Sequence, residues 1–311
     1  MKKMINTCHI EGLLYQHDLQ VKVSGEKSKN PGTTFISGNI EIATDNDITN
    51  IVTIHYTYVT ALTSKGKTNN TFTILKNIID GNYKSVMANG PEEAVALSID
   101  SAIALNEFYS DRSGTEELVS VKRNEGGFIQ VVNALNEDEG KRDTWKADMV
   151  ITSTTLKEAD EEKNIPEKLI VKGGIFNFRN ELLPVEFSAI NPLAIDYFSG
   201  LEASNKNPVF TCVWGRQISE VITRQIVEES AFGEPSVKEV TSTRKDFIIT
   251  GASKHPMEWD DESTILASEL TKALSDREVN LAAMKARQEE YKSSLSQPTA
   301  APTASVGGFN F

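Results

Sequence analysis

Cysteine is nearly absent. Cys8 and Cys212 are far apart and give no disulfide framework, so the chain is expected in a reducing compartment, the cytoplasm. No apolar run approaches the roughly 18 residues that a membrane span requires. The start, Met1-Lys2-Lys3-Met4-Ile5-Asn6-Thr7-Cys8, has basic residues with no apolar stretch behind them, and is not read as a secretory signal. Enzymatic signatures are missing as well. There is no Gly-rich loop ending in Gly-Lys-Ser/Thr, no Gly-x-Ser-x-Gly and no His-Glu-x-x-His. The four histidines, His9, His17, His55 and His255, are scattered. Cys8-His9 with His17 is the one metal set that can be drawn. A metal needs at least three convergent ligands, so Cys8 is read instead as a small core residue and the histidines as exposed strand residues. The run Asp160-Glu161-Glu162 reads as a solvated charge cluster. No catalytic residue, metal or cofactor is expected, and the chain is not expected to be an enzyme.

A basic surplus is also lacking. The net charge of −12 argues against a general duplex-DNA binder, which needs a cationic footprint. A single-strand binder is compatible with it, because the charge can be local to a groove and part of the affinity comes from bases stacking on rings.

What is present is alternation. Residues 8–23 read as a long strand bent at Gly12. In residues 35–44, Ile36, Gly38, Ile40 and Ile42 share one face. In residues 51–59, Val52, Ile54, Tyr56 and Tyr58 do the same, with His55 on the other side. A polar loop precedes a short helix over 71–80, with Phe72, Leu75 and Ile79 at helical spacing and Gly81 after it. Strands over 95–109 and 118–132 follow. An acidic stretch, 136–140, separates the halves. The second half repeats the order: strands over 145–156, 168–179 and 182–190, a short helix over 192–201 with Pro192 in its first turn, and strands over 209–219 and 237–250. An extra helix is expected over 220–230. Gly38-Asn39-Ile40 and Gly173-Gly174-Ile175 occupy matching strands, as do Lys122-Arg123 before Phe128-Ile129 and Arg244-Lys245 before Phe247-Ile248. The domains are set at 1–135 and 144–254.

Residues 258–292 form a C-terminal helix, with Asp260, Asp261 and Glu262 at its start and Lys285, Arg287 and Lys292 at its end. Its stripe of Leu270, Leu274, Leu281, Met284 and Tyr291 either packs on the preceding domain, the preferred reading, or pairs two copies as a short coiled coil. Residues 293–311, rich in Ser, Ala, Thr, Pro and Gly, are expected to be disordered.

Cations beside aromatics are the candidate chemistry. Stacking needs a ring standing off a sheet face, and a phosphate backbone needs cations a few ångströms away. Phe176 and Phe178 are expected on one strand face beside Arg179. Trp214 has Arg216 two residues on, projecting to the same side. Lys122-Arg123 and Arg244-Lys245 open the final strand of each half, with Phe128 following the first pair. Lys65 and Lys67 sit in a loop. Large aromatics are usually buried and lysine–arginine pairs usually solvated, so each residue alone is weak; the recurrence in both halves carries the reading.

Three strands, a short helix and two strands is the connectivity of the OB-fold, a five-stranded Greek-key barrel. Residues 8–132 thus resemble the OB-fold single-stranded DNA-binding proteins of bacteria and phages, and residues 145–250 look like a diverged second copy. The expected fold class is mainly β with minor α: two tandem OB-like five-stranded barrels and a C-terminal helix. The resemblance implies binding of single-stranded DNA in replication or recombination, by stacking and phosphate contacts with little sequence preference, and no membrane partner. In the bacterial family a disordered tail ends in acidic residues and a Phe that docks on partner proteins. Here Phe311 matches and the acidic residues do not. The alternative is a phage structural or assembly protein with β modules that make protein contacts only, which the acidity suits.

Overall fold

The computed structural model describes residues 3–26, 28–112, 114–159, 166–228, 236–259 and 265–296. The chain is mainly β-sheet with a few helices. The first strand is shorter than the sequence implies. β1 (Asn6–His17) ends where the chain turns at Asp18, and β2 (Gln20–Val23) follows as a separate edge strand. Then come β3 (Thr34–Ala43), β4 (Ile51–Thr60), α1 (Asn70–Ile79), a one-turn α2 (Val86–Asn89), β5 (Ala96–Ser110) and β6 (Glu117–Val131). Alternation sets each strand's faces: on β1, Cys8, Ile10 and Leu14 are buried while Thr7 is exposed and His9 half-buried. Asn69 caps α1 by accepting from the Thr71 N–H. The buried stripe is Ile74, Leu75 and Ile78, one step off the expected Phe72, Leu75 and Ile79.

Hydrogen bonding in this half returns to its starting strand. β1 pairs with β3, β3 with β4, β4 with β6 in parallel, β6 with β5, and β5 with β1. Ile10, Leu14, Ile36, Ile40, Ile54, Tyr56 and Ile99 fill the interior.

The second half repeats the circuit. Its elements are β7 (Asp143–Lys157), β8 (Lys168–Phe176), β9 (Leu182–Ala189), α3 (Pro192–Gly200), β10 (Val209–Glu228) and β11 (Ser236–Ala252). β7 pairs with β8, β8 with β9, β9 with β11 in parallel, β11 with β10, and β10 with β7. Trp145, Met149, Val171, Phe187, Phe198 and Val213 form this core, with the Trp145 and Phe187 rings stacked at 4.2 Å.

The extra helix expected over 220–230 is corrected. The backbone stays extended through Glu228, paired to β11 as far as Glu228↔Ser236. The run Val221-Ile222-Thr223 with Ile226-Val227 is β-branched, which favours a strand over a helix. Residues 229 and 230 of that expectation lie outside the described residues. The C-terminal helix is corrected at its start: α4 (Ala267–Ser296) begins nine residues later than expected, Glu258, Trp259, Ile265 and Leu266 being non-helical, and runs four residues past the expected end; Asp260, Asp261, Glu262 and residues 297–311 lie outside the described set. Its first half packs on the second circuit, where Ile265 and Ala273 are buried with Val150, Phe176, Leu182 and Phe210. From Arg277 onward it reaches the β5–β6 hairpin by polar contacts. Arg277 holds Glu107 at 2.6 Å, Gln288 exchanges two hydrogen bonds with the Tyr109 backbone, and Lys285 lies 2.9 Å from Glu116.

The two circuits are joined where β1 pairs with β7, from Asn6↔Ala147 to Ile10↔Asp143. Below this seam lies a polar knot. The fully buried Asp143 carboxylate accepts from Arg216 Nε at 2.7 Å and Nη2 at 2.8 Å, and from Asn50 Nδ2 at 2.7 Å. Asn124 and Gln217 exchange reciprocal side-chain hydrogen bonds across the same boundary, at 2.8 and 3.0 Å. Among the described residues no helix is long and apolar enough to cross a membrane.

Burial pushes the Asp143 carboxyl above its ordinary range although Arg216 opposes this, and Arg216 is held high by its hydrogen bonds to that carboxylate. Removing Arg216 leaves a buried charge unpaired. Arg216→Ala is expected to lower stability by about 2–3 kcal/mol at pH 7, the usual cost discounted because Arg216 is about one-third exposed. A raised folded pKa means that the folded state holds the proton more tightly, so the penalty is present at neutral pH and fades as Asp143 protonates. Urea unfolding of wild type and variant at pH 7 and near pH 4 tests this. A deficit that stays the same at both pH values contradicts it.

Candidate functional site

Because β1 and β7 are neighbours, the walls of the two circuits merge into one five-strand surface, in the order β6, β5, β1, β7, β10. Residues directly opposed on antiparallel strands face the same way. One row across this surface runs Phe128, Asp100, His9, Thr144, Arg216. The next includes Thr7, Lys146 and Trp214. Cys8 and Trp145, between the rows, point into the interior. Four strand spacings separate Phe128 from Trp214, about 19 Å.

Each ring is held by its backbone. Phe128 stands 78% exposed beside Gly127, where an added Cβ would lie 2.1 Å from the Asp100 carbonyl oxygen. Only glycine permits that approach, next to the irregularity in β5–β6 pairing between Asp100 and Ala102. Trp214, 39% exposed, lies at a break in the β10–β11 register with its indole against Gly251, where a Cβ would come within 2.3 Å of Nε1. The Lys146 ammonium lies 5.9 Å from the ring centroid. Phe178, 84% exposed, occupies the β8–β9 turn. There Asn177 Oδ1 accepts from the Arg179 and Glu181 N–H groups at 2.9 and 3.0 Å, and Asn180 takes the left-handed conformation asparagine tolerates. The Arg179 guanidinium lies 5.1 Å from the Phe178 ring.

Two adjoining clefts gather these groups. The smaller, about 780 Å³, is lined by Thr7, His9, Asp100, Lys146, Trp214 and Arg216 among others. The larger, about 1200 Å³, runs between β5–β6, the β8–β9 turn and α4, and contains Phe128, Phe178, Arg179 and Arg287. Asp100 and Ser101 line both. The larger cleft is not a cationic channel, since Asp100, Glu125, Glu181 and Asp276 line it too.

The residues expected from sequence separate into groups. Phe128, Phe178 and Arg179 meet in the larger cleft, and Trp214 and Arg216 in the smaller. Phe176 is a correction. It is fully buried beneath α4, because the strand ends there and the chain turns at Asn177, so Phe176 and Phe178 do not share a face. Lys122 is a second correction. Its ammonium sits over the Phe187 and Phe247 rings, 5.2 and 5.0 Å from their centroids, and donates to the Glu186 carbonyl; desolvation lowers its pKa. Lys245 likewise bridges the circuits, donating to Thr53 Oγ1 at 3.0 Å. Arg123 lies 2.8 Å from Glu125, and Arg216 is engaged by Asp143. Lys65 and Lys67 are exposed in a tight turn closed at Leu62↔Thr68 and line neither cleft. The Arg244 side chain and Phe311 lie outside the described residues.

Sequence reasoning missed His9, Asp100 and Lys146. Strand alternation marks each as outward, but only the long-range β1–β7 contact brings them together. Among the described residues no group of three or more His, Cys, Asp or Glu is placed to hold a metal. Cys8 is buried, its thiol pushed up to about 12 by desolvation.

A family model described as YorF matches residues 5–292. The chain belongs to the YorF family. No curated protein matches this YorF chain. Among solved structures it is similar to the single-stranded DNA binding protein from Thermus aquaticus. A deletion mutant of that protein is 11% identical, with 84% of this chain and 100% of that one covered and a TM-score of 0.45. The wild-type form is 11% identical, with 82% and 97% covered and a TM-score of 0.43. Likeness at that level does not carry function.

Of the three tryptophans in the YorF chain, Trp145 is in the core and Trp259 is partly buried, donating to the Pro208 carbonyl at 3.2 Å. Acrylamide is therefore expected to quench mainly Trp214. Trp214→Phe should remove most of the quencher-accessible emission; accessible emission that persists unchanged would show that the indole is not at the surface.

Proposed function

We propose that this YorF-family chain binds single-stranded DNA in replication or recombination, without catalysis, by stacking bases on exposed rings and contacting phosphates with nearby cations. In this reading each five-strand circuit is an OB-like barrel, the first within 1–135 and the second within 144–254. The support is connectivity: setting aside the edge strand β2 and the one-turn α2, three strands, a helix and two strands, with the third and fifth in parallel, in both halves. The observation that carries the functional reading is the set Phe128, Phe178 and Trp214, exposed along two adjoining clefts, two of the rings with a cation over them. Base stacking on such rings is worth roughly 1–3 kcal/mol each. The working cations in this reading are Lys146, Arg179 and Arg287, in place of Lys122, whose ammonium is held by the Glu186 carbonyl and two rings, and Lys245, which is held by Thr53.

The acidity favours a second reading, a structural or assembly role through protein contacts alone. The carboxylates in the larger cleft support it.

A tryptophan-fluorescence titration with a mixed-sequence single-stranded oligonucleotide, at low and moderate salt, separates the two. The DNA reading expects quenching of Trp214 and affinity that falls with salt at a slope near −0.7 per phosphate contact. Phe128→Ala and Phe178→Ala should each weaken binding by about tenfold, consistent with about 1–3 kcal/mol per stacked base. Absence of binding at low salt, with stable large assemblies, favours the protein-contact reading.

A further inference from the structure

We infer that Asp100 reads the base stacked on Phe128, favouring bases that present an amino donor over those that present a carbonyl; the inference rests on the single-strand reading above. Asp100 and Phe128 are directly opposed on β5 and β6, so a carboxylate and an exposed ring stand side by side on one sheet face. The Asp100 side chain is 73% exposed. Its Oδ1 lies 2.9 Å from His9 Nδ1, which fixes the carboxylate's direction, while Oδ2 has no partner among the described residues. No lysine or arginine of the described residues is paired with it. A base lying on Phe128 therefore brings its edge, rather than its flat face, to an oriented acceptor.

A carboxylate at this position repels phosphate, so the strand is expected to enter with a base toward Asp100 and its backbone outward, toward Arg179 and Arg287. At the base edge a carboxylate accepts from the 4-amino group of cytosine and is repelled by the 4-carbonyl of uracil or thymine. Of the other carboxylates of the larger cleft, Glu107, Glu125 and Glu181 are already engaged, Glu107 by Arg277 at 2.6 Å. Glu125 lies by Arg123 and accepts from Thr57, and Glu181 accepts from Asn177 Nδ2. Asp276 lies across the cleft on α4, away from the Phe128 row. Asp100 is thus the acceptor set directly beside a ring.

The test compares labelled oligo-dC and oligo-dU of equal length, which differ only in the base and avoid the thymine methyl, binding the full chain at pH 8 by fluorescence anisotropy. Wild type is expected to bind oligo-dC about tenfold more tightly, the usual worth of one such base contact. Asp100→Asn, whose amide can donate or accept, should bring the ratio close to one, chiefly by strengthening oligo-dU. A wild-type ratio near one, or a preference that survives in Asp100→Asn, overturns the inference. If wild type binds mixed-sequence DNA but does not distinguish the two homopolymers, this inference alone fails. Should no single strand bind at all, the functional reading fails with it.

Discussion

The backbone pairing of β1 with β7 is the contact on which the remaining architecture depends. β1 closes the first circuit through β3 and β5 and, from Asn6 to Ile10, also serves as a neighbour to the second. Without that register His9 and Lys146 would lie on separate surfaces, and Phe128 and Trp214 would have no common wall. The knot beneath it is polar. Asp143, Asn50, Asn124 and Gln217 satisfy one another, and an apolar pair there would not specify the register as these directional bonds do. Buried polar groups that are fully partnered hold geometry well, and they are costly once a partner is removed.

The same boundary accounts for the whereabouts of the positive charge. Lys122, Lys245, Arg216 and the buried Arg142 all turn toward protein acceptors at or near the junction of the circuits. Of the chain's 32 lysines and arginines, these four are committed to protein acceptors. Those that line the clefts unengaged by a carboxylate in the described contacts, Lys146, Arg179 and Arg287, are set beside rings or on α4. If the surface takes single-stranded DNA as proposed, it leans on rings and base edges more than on phosphate charge.

Much of the architecture was legible because alternation reports directly on burial. Ile36, Ile40 and Ile42, or Val52 and Ile54, mark their faces with no knowledge of their partners. Of the short helices, α1 and α3 were legible, from Gly81 and Pro192, whereas the one-turn α2 carried no signal that was read. The errors arose where local pattern competes with long-range pairing. Residues 220–228 carry enough polar residues to pass for a helix, yet β11 holds them extended. Phe176 reads as the twin of Phe178 until the turn at Asn177 breaks the parity. Lys122 reads as a solvated strand residue because the carbonyl and rings that receive it are more than sixty residues away. The rings at the site were visible in the sequence; the carboxylate and histidine beside them were not, since nothing in either segment points to the other.

The docking of α4 also bears on how the molecule is made. Gln288 meets Tyr109 and Arg277 meets Glu107 across separations of 179 and 170 residues. Strands β1 to β6 can pair as they leave the ribosome, whereas the helix that borders the larger cleft emerges only after the strands it contacts have been synthesised. A nascent chain thus carries the apolar patch of Phe176, Leu182 and Phe210 uncovered until α4 arrives with Ala273 to bury it, and truncation ahead of residue 265 would leave that patch exposed to solvent.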